Sequence, residues 1–384
     1  MLLPIGSQDD FGETVTNRNF VFETFRKVST LRGYQEISTP VVEYANIFTN
    51  KHVGMSLQSL MKWFNSEGEI EVLRPDWTTA IARALTKHNK APEKWAYQGS
   101  IFRNNKVGVE SRQVGIEIIN FPNFHGECEC LLMARNFLDE LTINHYVIEL
   151  GHTGIFEYFI NQLDLSDEEI KALQIAMHDK RKDKVYQLVA RNGKEHIASE
   201  LVVLIDAFGP FEEVLNDYEI RWGNYPVLLK IVNHIKKLAE LLNESGKVPV
   251  IVDLGMVKKL PYYSGIIFRG LLEENGSTCF SGGRYDKLYD QFGENKNAVG
   301  LGFDVDILAK QLRIVNKPKR ICVIASDETL SYAEKIRKDY ADFIVEVFYD
   351  DEMIDKDNFQ KVIYILQKDG EYEVIENEDM YRFN

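Results

Sequence analysis

Between about residues 160 and 245 the chain changes character, and this limits the folds open to it. Segments such as LSDEEIKALQIAMHDKRKDKVYQLVAR and YPVLLKIVNHIKKLAELLNES repeat apolar residues at helical spacing and are rich in charge. Strand-like runs lie on both sides. Trp95 to Arg103, Gly115 to Asn120 and Tyr146 to Leu150 precede the tract; Val248 to Asp253, Gly265 to Leu271, Thr278 to Phe280 and Val299 to Phe303 follow it. Strands so divided must pair at long range. The expected fold class is therefore α+β: a mainly antiparallel sheet flanked by helices and interrupted by a helical insertion.

The remaining signals fit that frame. Phe20, Phe22, Phe25, Val28 and Leu31 recur at mostly helical spacings, so a helix is expected from Asn17 to Arg32, stopped by Gly33. A short strand, Tyr34 to Ser38, runs into Thr39-Pro40, and that proline points to a sheet edge. Leu73-Arg74-Pro75-Asp76 leads into a helix from Trp77 to Lys90. The polar stretch from Asn104 to Arg112 reads as the tip of a long hairpin, and a helix is expected from Glu127 to Leu141. Asn316-Lys317-Pro318-Lys319 reads as a linker. Beyond it a strand (Arg320 to Ala325), a helix (Leu330 to Tyr340) and strands at Phe343 to Phe348 and Lys361 to Leu366 suggest a small α/β unit. The expected organisation is a core over 1–315, with its insertion at about 160–245, and a C-terminal domain over 316–384.

Charge narrows the function. The net charge of −14 opposes nucleic-acid binding, which normally draws on a basic surface. Residues 321–384 hold seven Lys and Arg against seventeen Asp and Glu, a surface that repels phosphate backbones. Cys128, Cys130, Cys279 and Cys322 are too scattered for a disulfide framework. Cys128-x-Cys130 beside His125 is not a usual zinc spacing, so a buried thiol is the better reading and no metal is expected. The first residues, MLLPIGSQDDFGE, lack a basic region followed by an apolar one, and no run reaches the roughly 18 apolar residues of a membrane span. The cytoplasm is the expected compartment.

Four clusters could carry chemistry: Arg74-Pro75-Asp76-Trp77-Thr78; Phe102-Arg103 with Gln113, Gly115 and Glu117; Pro261-Tyr262-Tyr263-Ser264-Gly265; and Ser281-Gly282-Gly283-Arg284-Tyr285-Asp286. Gln113, Gly115 and Glu117 alternate and so share one face of a strand. Together the clusters suit a zwitterion. Asp76 and Glu117 can take an ammonium or a side-chain N–H, and Arg103 or Arg284 can hold a carboxylate bidentately. Tyr262 and Tyr263 offer an apolar wall with polar tips, and Gly282 and Gly283 let backbone approach a ligand. Taken singly, each has a plainer reading as an ion pair, a cap, a strand face or a turn.

In their order along the chain the clusters resemble the class II aminoacyl-tRNA synthetase core of the histidyl type. LPIGSQDD resembles that family's opening, GYQEISTPVVE its first motif, and LRPDWT its LRPE-x-T segment. IFRNN through RQVGIE is similar to the second motif and the strand after it, LPYYSGIIF to the histidyl double-tyrosine signature, and SGGRYDKL to its G-G-G-R-Y-D turn. The resemblance spans roughly residues 1–312.

The departures matter as much. Asn105 stands where the second motif has a glutamate, Lys258 where the signature has an arginine before its tyrosines, and Pro261 where it has an aspartate. Ile307 stands where the third motif ends in an arginine that clamps ATP. Losing one charge clamp on a transferring phosphate typically costs about a hundredfold or more in rate. A synthetase-like chain that keeps the amino-acid side and loses the ATP side resembles the regulatory subunits of ATP phosphoribosyltransferase. That resemblance implies a non-catalytic, cofactor-free chain in histidine biosynthesis. It also implies a partnership with the short catalytic subunit in a hetero-octamer, a self-dimer through the synthetase-like core, and allosteric feedback by histidine. By the family's pattern Asp76, Thr78 and Gln113 hold the α-ammonium, Glu117 with Tyr262 or Tyr263 the imidazole, and Arg103 the carboxylate. A divergent histidyl-tRNA synthetase, or a synthetase paralogue with another binding role, is the alternative.

Overall fold

The computed structural model describes residues 2–3, 6–86, 88, 91–104, 108–191, 193–257, 261–312, 319–350, 354–368 and 370–377. The chain forms two compact units, Met1–Leu312 and Arg313–Asn384. Among the described residues no helix is long and apolar enough to cross a membrane.

The first unit opens with α1 (Glu13–Leu31), β1 (Gln35–Glu36), β2 (Val42–Tyr44), α2 (Asn46–Thr49), β3 (Lys62–Phe64), β4 (Ile70–Leu73) and α3 (Trp77–Ala84). The hairpin β5 (Glu93–Phe102) and β6 (Glu110–Ile119) leads to α4 (Asn123–Glu140) and β7 (Tyr146–His152). The insertion contains α5 (Thr153–Ile160), α6 (Asp167–His178), α7 (Lys182–Ala190), α8 (Glu195–Leu204), β8 (Phe208–Pro210), α9 (Phe211–Arg221) and α10 (Pro226–Glu244). The chain returns through β9 (Val250–Asp253), β10 (Ile266–Leu272), β11 (Thr278–Arg284) and β12 (Ala298–Asp304) to α11 (Val305–Gln311).

Nine strands make one sheet in the order β1-β5-β6-β12-β11-β10-β7-β9-β8. Its pairs are antiparallel except β1 with β5 and β7 with β9. Strands from before and after the insertion therefore alternate, the long-range pairing the sequence demands. One face of the sheet is packed by helices. In α1, Val21, Phe25 and Val28 are buried at i, i+4 and i+7. Phe25 and Phe303 both pack edge-on against Phe137 of α4, with ring centres 5.3 and 4.8 Å away. In α10, Val232, Ile235, Leu238, Ala239 and Leu242 join this same core, so the insertion is continuous with the sheet's own packing. Its helix α6 starts at a capping box in which Ser166 and Glu169 each satisfy the other's backbone N–H.

Several local expectations shift. The first helix begins at Glu13, and Phe20 and Leu31 turn out 42% and 78% exposed. The strand expected from Tyr34 to Ser38 shrinks to Gln35–Glu36, at the sheet's edge. The helix expected to reach Lys90 ends at Ala84; Lys296 Nζ binds the carbonyl of Leu85, just past its end, at 2.7 Å. β6 starts at Glu110, which shortens the hairpin tip. A separate sheet of β2, β4 and β3 has no counterpart in the sequence reading. Its strands have only three or four residues each, too few to show a period.

The second unit contains β13 (Arg320–Ile324), α12 (Leu330–Asp339), β14 (Ile344–Phe348), β15 (Lys361–Lys368) and β16 (Glu371–Asn377). Its sheet runs β14-β13-β15-β16, parallel except for the last pair. Ile321 and Val323 of β13 pack with Ala333 and Ile336 of α12, while Cys322 packs with Phe359 and Val362 in a second cluster. A strand buried on both faces reads as one apolar run, as RICVI does.

Candidate functional site

The face of the nine-stranded sheet opposite α1 and α4 holds the candidate site. In β6 the alternation puts Val114, Ile116 and Ile118 in the helix-packed core and leaves Gln113, Gly115 and Glu117 on the other side. Glu117 is 1% exposed. Its Oε1 accepts from the Thr78 hydroxyl at 2.7 Å, and its Oε2 from the Tyr285 hydroxyl at 2.5 Å. Burial pushes its carboxyl up to about 8; the hydroxyls of Tyr285 and Thr78 pull the other way, and Asp76 adds to the rise.

Neighbouring residues make room for this carboxyl. Gly300 pairs directly with Glu117, and a Cβ there would lie 1.8 Å from Glu117 Oε2. Gly115 pairs with Gly302, and Tyr97 occupies the space both leave: Cβ atoms there would lie 2.3 and 3.1 Å from its hydroxyl. Gln113 Oε1 is the next atom from Gly302, at 3.8 Å from that Cβ position. Tyr97 stacks on Trp77 with ring centres 5.0 Å apart, and the Arg74 guanidinium covers Trp77 at 3.5 Å. Arg74 Nε also donates to the Ser100 carbonyl at 2.9 Å, so the arginine of LRPDWT is a brace.

Asp76 caps α3. Its Oδ2 accepts from the Thr79 N–H at 2.8 Å and the Thr79 hydroxyl at 2.5 Å. That cap aims Thr78, the second residue of α3, at Glu117. The rings of Tyr262 and Tyr263 lie 5.0 Å apart, and Tyr262 lies 6.3 Å from Tyr285. Both phenols are pushed up by burial and by the charges of Asp76 and Glu117, with Arg103 pulling them down. Arg103 is exposed and its Nε donates to the Pro75 carbonyl at 2.9 Å. Two carboxyl groups, one guanidinium and a cluster of phenols thus share one neighbourhood. It can take a ligand's N–H or ammonium at Asp76 and Glu117 and its carboxylate at Arg103.

Two of the residues singled out in the sequence lie elsewhere. Gly283 pairs with Gly300 on the Glu117 side, so Gly282 and Arg284, one residue away in each direction, point to the opposite face. The missing side chain of Gly282 makes room for Phe268 and Leu301 of the core. Arg284 is consumed internally: it binds Glu127 at 2.7 Å, Asp286 at 3.1 Å and the carbonyl of Asn123 at 2.9 Å. Neither belongs to the pocket around Glu117. Tyr285, within the same SGGRYD run, does, and the sequence reading passed over it in favour of the arginine. The same alternation that groups Gln113, Gly115 and Glu117 would have found it. Asn105 and Lys258 lie outside the described residues. Ile307 is half-buried in α11 against the main core, its N–H bound to Asp304 Oδ1 at 2.9 Å. Cys128 and Cys130 are buried, and burial pushes the Cys128 thiol up to about 11.

Comparison with known proteins fits this geometry. The histidyl-tRNA synthetase family model matches residues 6–308. The ATP phosphoribosyltransferase regulatory subunit of Bacillus cereus (strain AH187) is 32% identical over 349 residues, covering 87% of this chain and 82% of that one. The chain belongs to the ATP phosphoribosyltransferase regulatory subunits. The subunit from Bacillus mycoides (strain KBAB4) shows the same 32% identity over 349 residues. Among solved structures, an ATP phosphoribosyltransferase regulatory subunit/histidyl-tRNA synthetase from Bacillus halodurans superposes with a TM-score of 0.79 at 23% identity, over 94% of this chain and 97% of that one. The histidyl-tRNA synthetase of Nostoc sp. PCC 7120 gives 0.78 at 18% identity, over 97% and 96%. Regulatory subunit and synthetase therefore share one fold, the class II synthetase fold, and fold alone does not separate them.

Proposed function

We propose that this chain is the histidine-sensing, non-catalytic partner of the short-form ATP phosphoribosyltransferase catalytic subunit. It works in the cytoplasm, in the first step of histidine biosynthesis. The observation that carries the reading is the contrast between Glu117 and Ile307. Glu117 is a buried carboxyl with two hydroxyl donors and, among the described residues, no ion-pair partner. Ile307, at the position where synthetases hold ATP with an arginine, is an apolar side chain packed into the core. An amino-acid pocket survives where one nucleotide clamp has gone.

In this reading Glu117, with Tyr262 or Tyr263, takes the imidazole N–H. Asp76, Thr78 and Gln113 take the α-ammonium, and Arg103 the carboxylate. Histidine regulates the enzyme only by binding one state of the assembly more tightly than another. The assembly is a hetero-octamer containing self-dimers of the synthetase-like core. The test is co-purification with the short catalytic subunit, followed by activity assays with and without histidine. Complex formation with histidine-dependent activity is the expected result; a chain that stays apart from that subunit, or a complex that takes up no histidine by calorimetry, refutes it. Histidine-dependent pyrophosphate exchange by the chain alone would restore the synthetase reading.

A further inference from the structure

The helix-packed face of the sheet, opposite Glu117, carries a cavity of about 680 Å³. One wall is α10; the other is built from the ends of β7 and β11, the Ser264–Gly265 approach to β10 and the start of α4. The floor is ionic and buried, with Arg284 4% exposed and Glu127 1%. Glu127 Oε1 accepts from Arg284 Nε at 2.7 Å, and His234 Nε2 meets Oε2 at 2.6 Å. Both oxygens of that carboxylate are already engaged by the protein.

Beyond Glu127 the lining includes, among the described residues, no other carboxylate and several donors, with the Asn123 and Asn233 amides able to give or accept. His152 Nδ1 accepts from the Gly154 N–H at 3.0 Å, and burial pushes the ring down to about 4. The ring is therefore neutral near pH 7 and carries its proton on Nε2. Ser264 Oγ accepts from the Asp286 N–H at 3.0 Å, which leaves its own O–H to give. Lys230 and Lys237 are exposed on the cavity side of α10, and among the described residues no carboxylate pairs with either. Pro226, Val227 and Ile231 supply apolar contact beside them.

We propose that this cavity is a second ligand site, for a small organic anion: an apolar body carrying a carboxylate or a phosphate. The anionic group sits among Lys230, Lys237 and the His152 Nε2–H, and the body packs on Pro226, Val227 and Ile231. A cationic ligand fits poorly, because it would face two lysines while the nearest buried carboxylate is already paired with Arg284 and His234. The proposal stands apart from the histidine reading, since the two sites occupy opposite faces of the sheet.

Calorimetric titration of the full chain with phenyl phosphate, benzoate and the uncharged benzyl alcohol tests it. At least one anion binds, benzyl alcohol does not, and the anion that binds identifies the charged group. The double change Lys230→Gln with Lys237→Gln weakens that binding at least about tenfold, and saturating histidine leaves it in place. The proposal is overturned if neither anion binds at about 10 mM. It is equally overturned if benzyl alcohol binds as well as the anions, if the double variant binds them unchanged, or if histidine displaces them.

Discussion

Glu117 and Glu127 are two carboxyl groups of the same burial, each 1% exposed, on opposite faces of one sheet. Glu127 is matched inside the protein by the Arg284 guanidinium and by the His234 ring. Among the described residues Glu117 is met by two neutral hydroxyls, from Thr78 and Tyr285. Burying a carboxylate without a counter-charge is costly, and the rise of Glu117 to about 8 expresses that cost as retained protons. A carboxyl whose partner is built in serves the fold. One held in place by neutral donors, beside Asp76 and a wall of tyrosines, is the group that the proposed function assigns to a ligand.

The contrast can be broken most directly at Arg284. Arg284→Met leaves Glu127 buried with His234 alone, and the expected loss of stability is about 3–5 kcal/mol, read from the unfolding midpoint in denaturant. Glu117→Gln, which removes a group already largely protonated, is expected to cost about 1 kcal/mol at pH 7. Equal losses from the two would abolish the distinction. Gly300→Ala comes between them. Its Cβ would fall 1.8 Å from Glu117 Oε2, so the carboxyl or the strand must shift. The expected cost is about 1–3 kcal/mol, together with loss of histidine uptake. Normal histidine binding by that variant would mean that Glu117 need not stay in place.

The dependence on pH sharpens the same contrast. Because the folded-state value of Glu117 is raised from 4.5 to about 8, the folded protein holds a proton that the unfolded chain releases. The stability this provides is fully present below about pH 4.5 and is lost as pH rises through about 8. The slope approaches about 1.4 kcal/mol per pH unit for one proton. Other buried carboxyls, such as Asp253 and Asp304, are also raised, so the useful quantity is the difference from Glu117→Gln. Wild type should lose stability relative to that variant between about pH 5 and 8; parallel curves would show that Glu117 carries no displaced proton.

How much of this was legible depended on length and period. The α+β class and the divided sheet followed from long periodic runs such as α10 and from strands on either side of the insertion. The shared face of Gln113, Gly115 and Glu117 followed from alternation alone. The sheet of β2, β3 and β4 did not, because strands of three or four residues show no period. Arg284 misled because a charged residue in a glycine turn looks like a ligand contact, while its partner Glu127 lies far off in sequence on a helix. Gly300 was silent because a glycine that yields space to a neighbour's carboxyl looks like any other strand glycine until the register with β6 is known.

Two roles are open to Thr78, and one pair of substitutions separates them. Its hydroxyl hydrogen goes to Glu117 Oε1, and its oxygen keeps lone pairs that a ligand ammonium could use. Thr78→Val removes both functions, whereas Thr78→Ser retains them. If Thr78 only positions Glu117, the valine variant should cost about 1 kcal/mol of stability and weaken histidine binding about fivefold or less, because a ligand N–H can replace the lost donor. If Thr78 also accepts from the α-ammonium, the valine variant leaves a charged donor short of a partner in a desolvated pocket. The loss is then about 2–3 kcal/mol, or some fifty-fold, and serine restores it. Calorimetry on the two variants decides between a residue that aims the Glu117 carboxyl and one that would itself touch the proposed ligand.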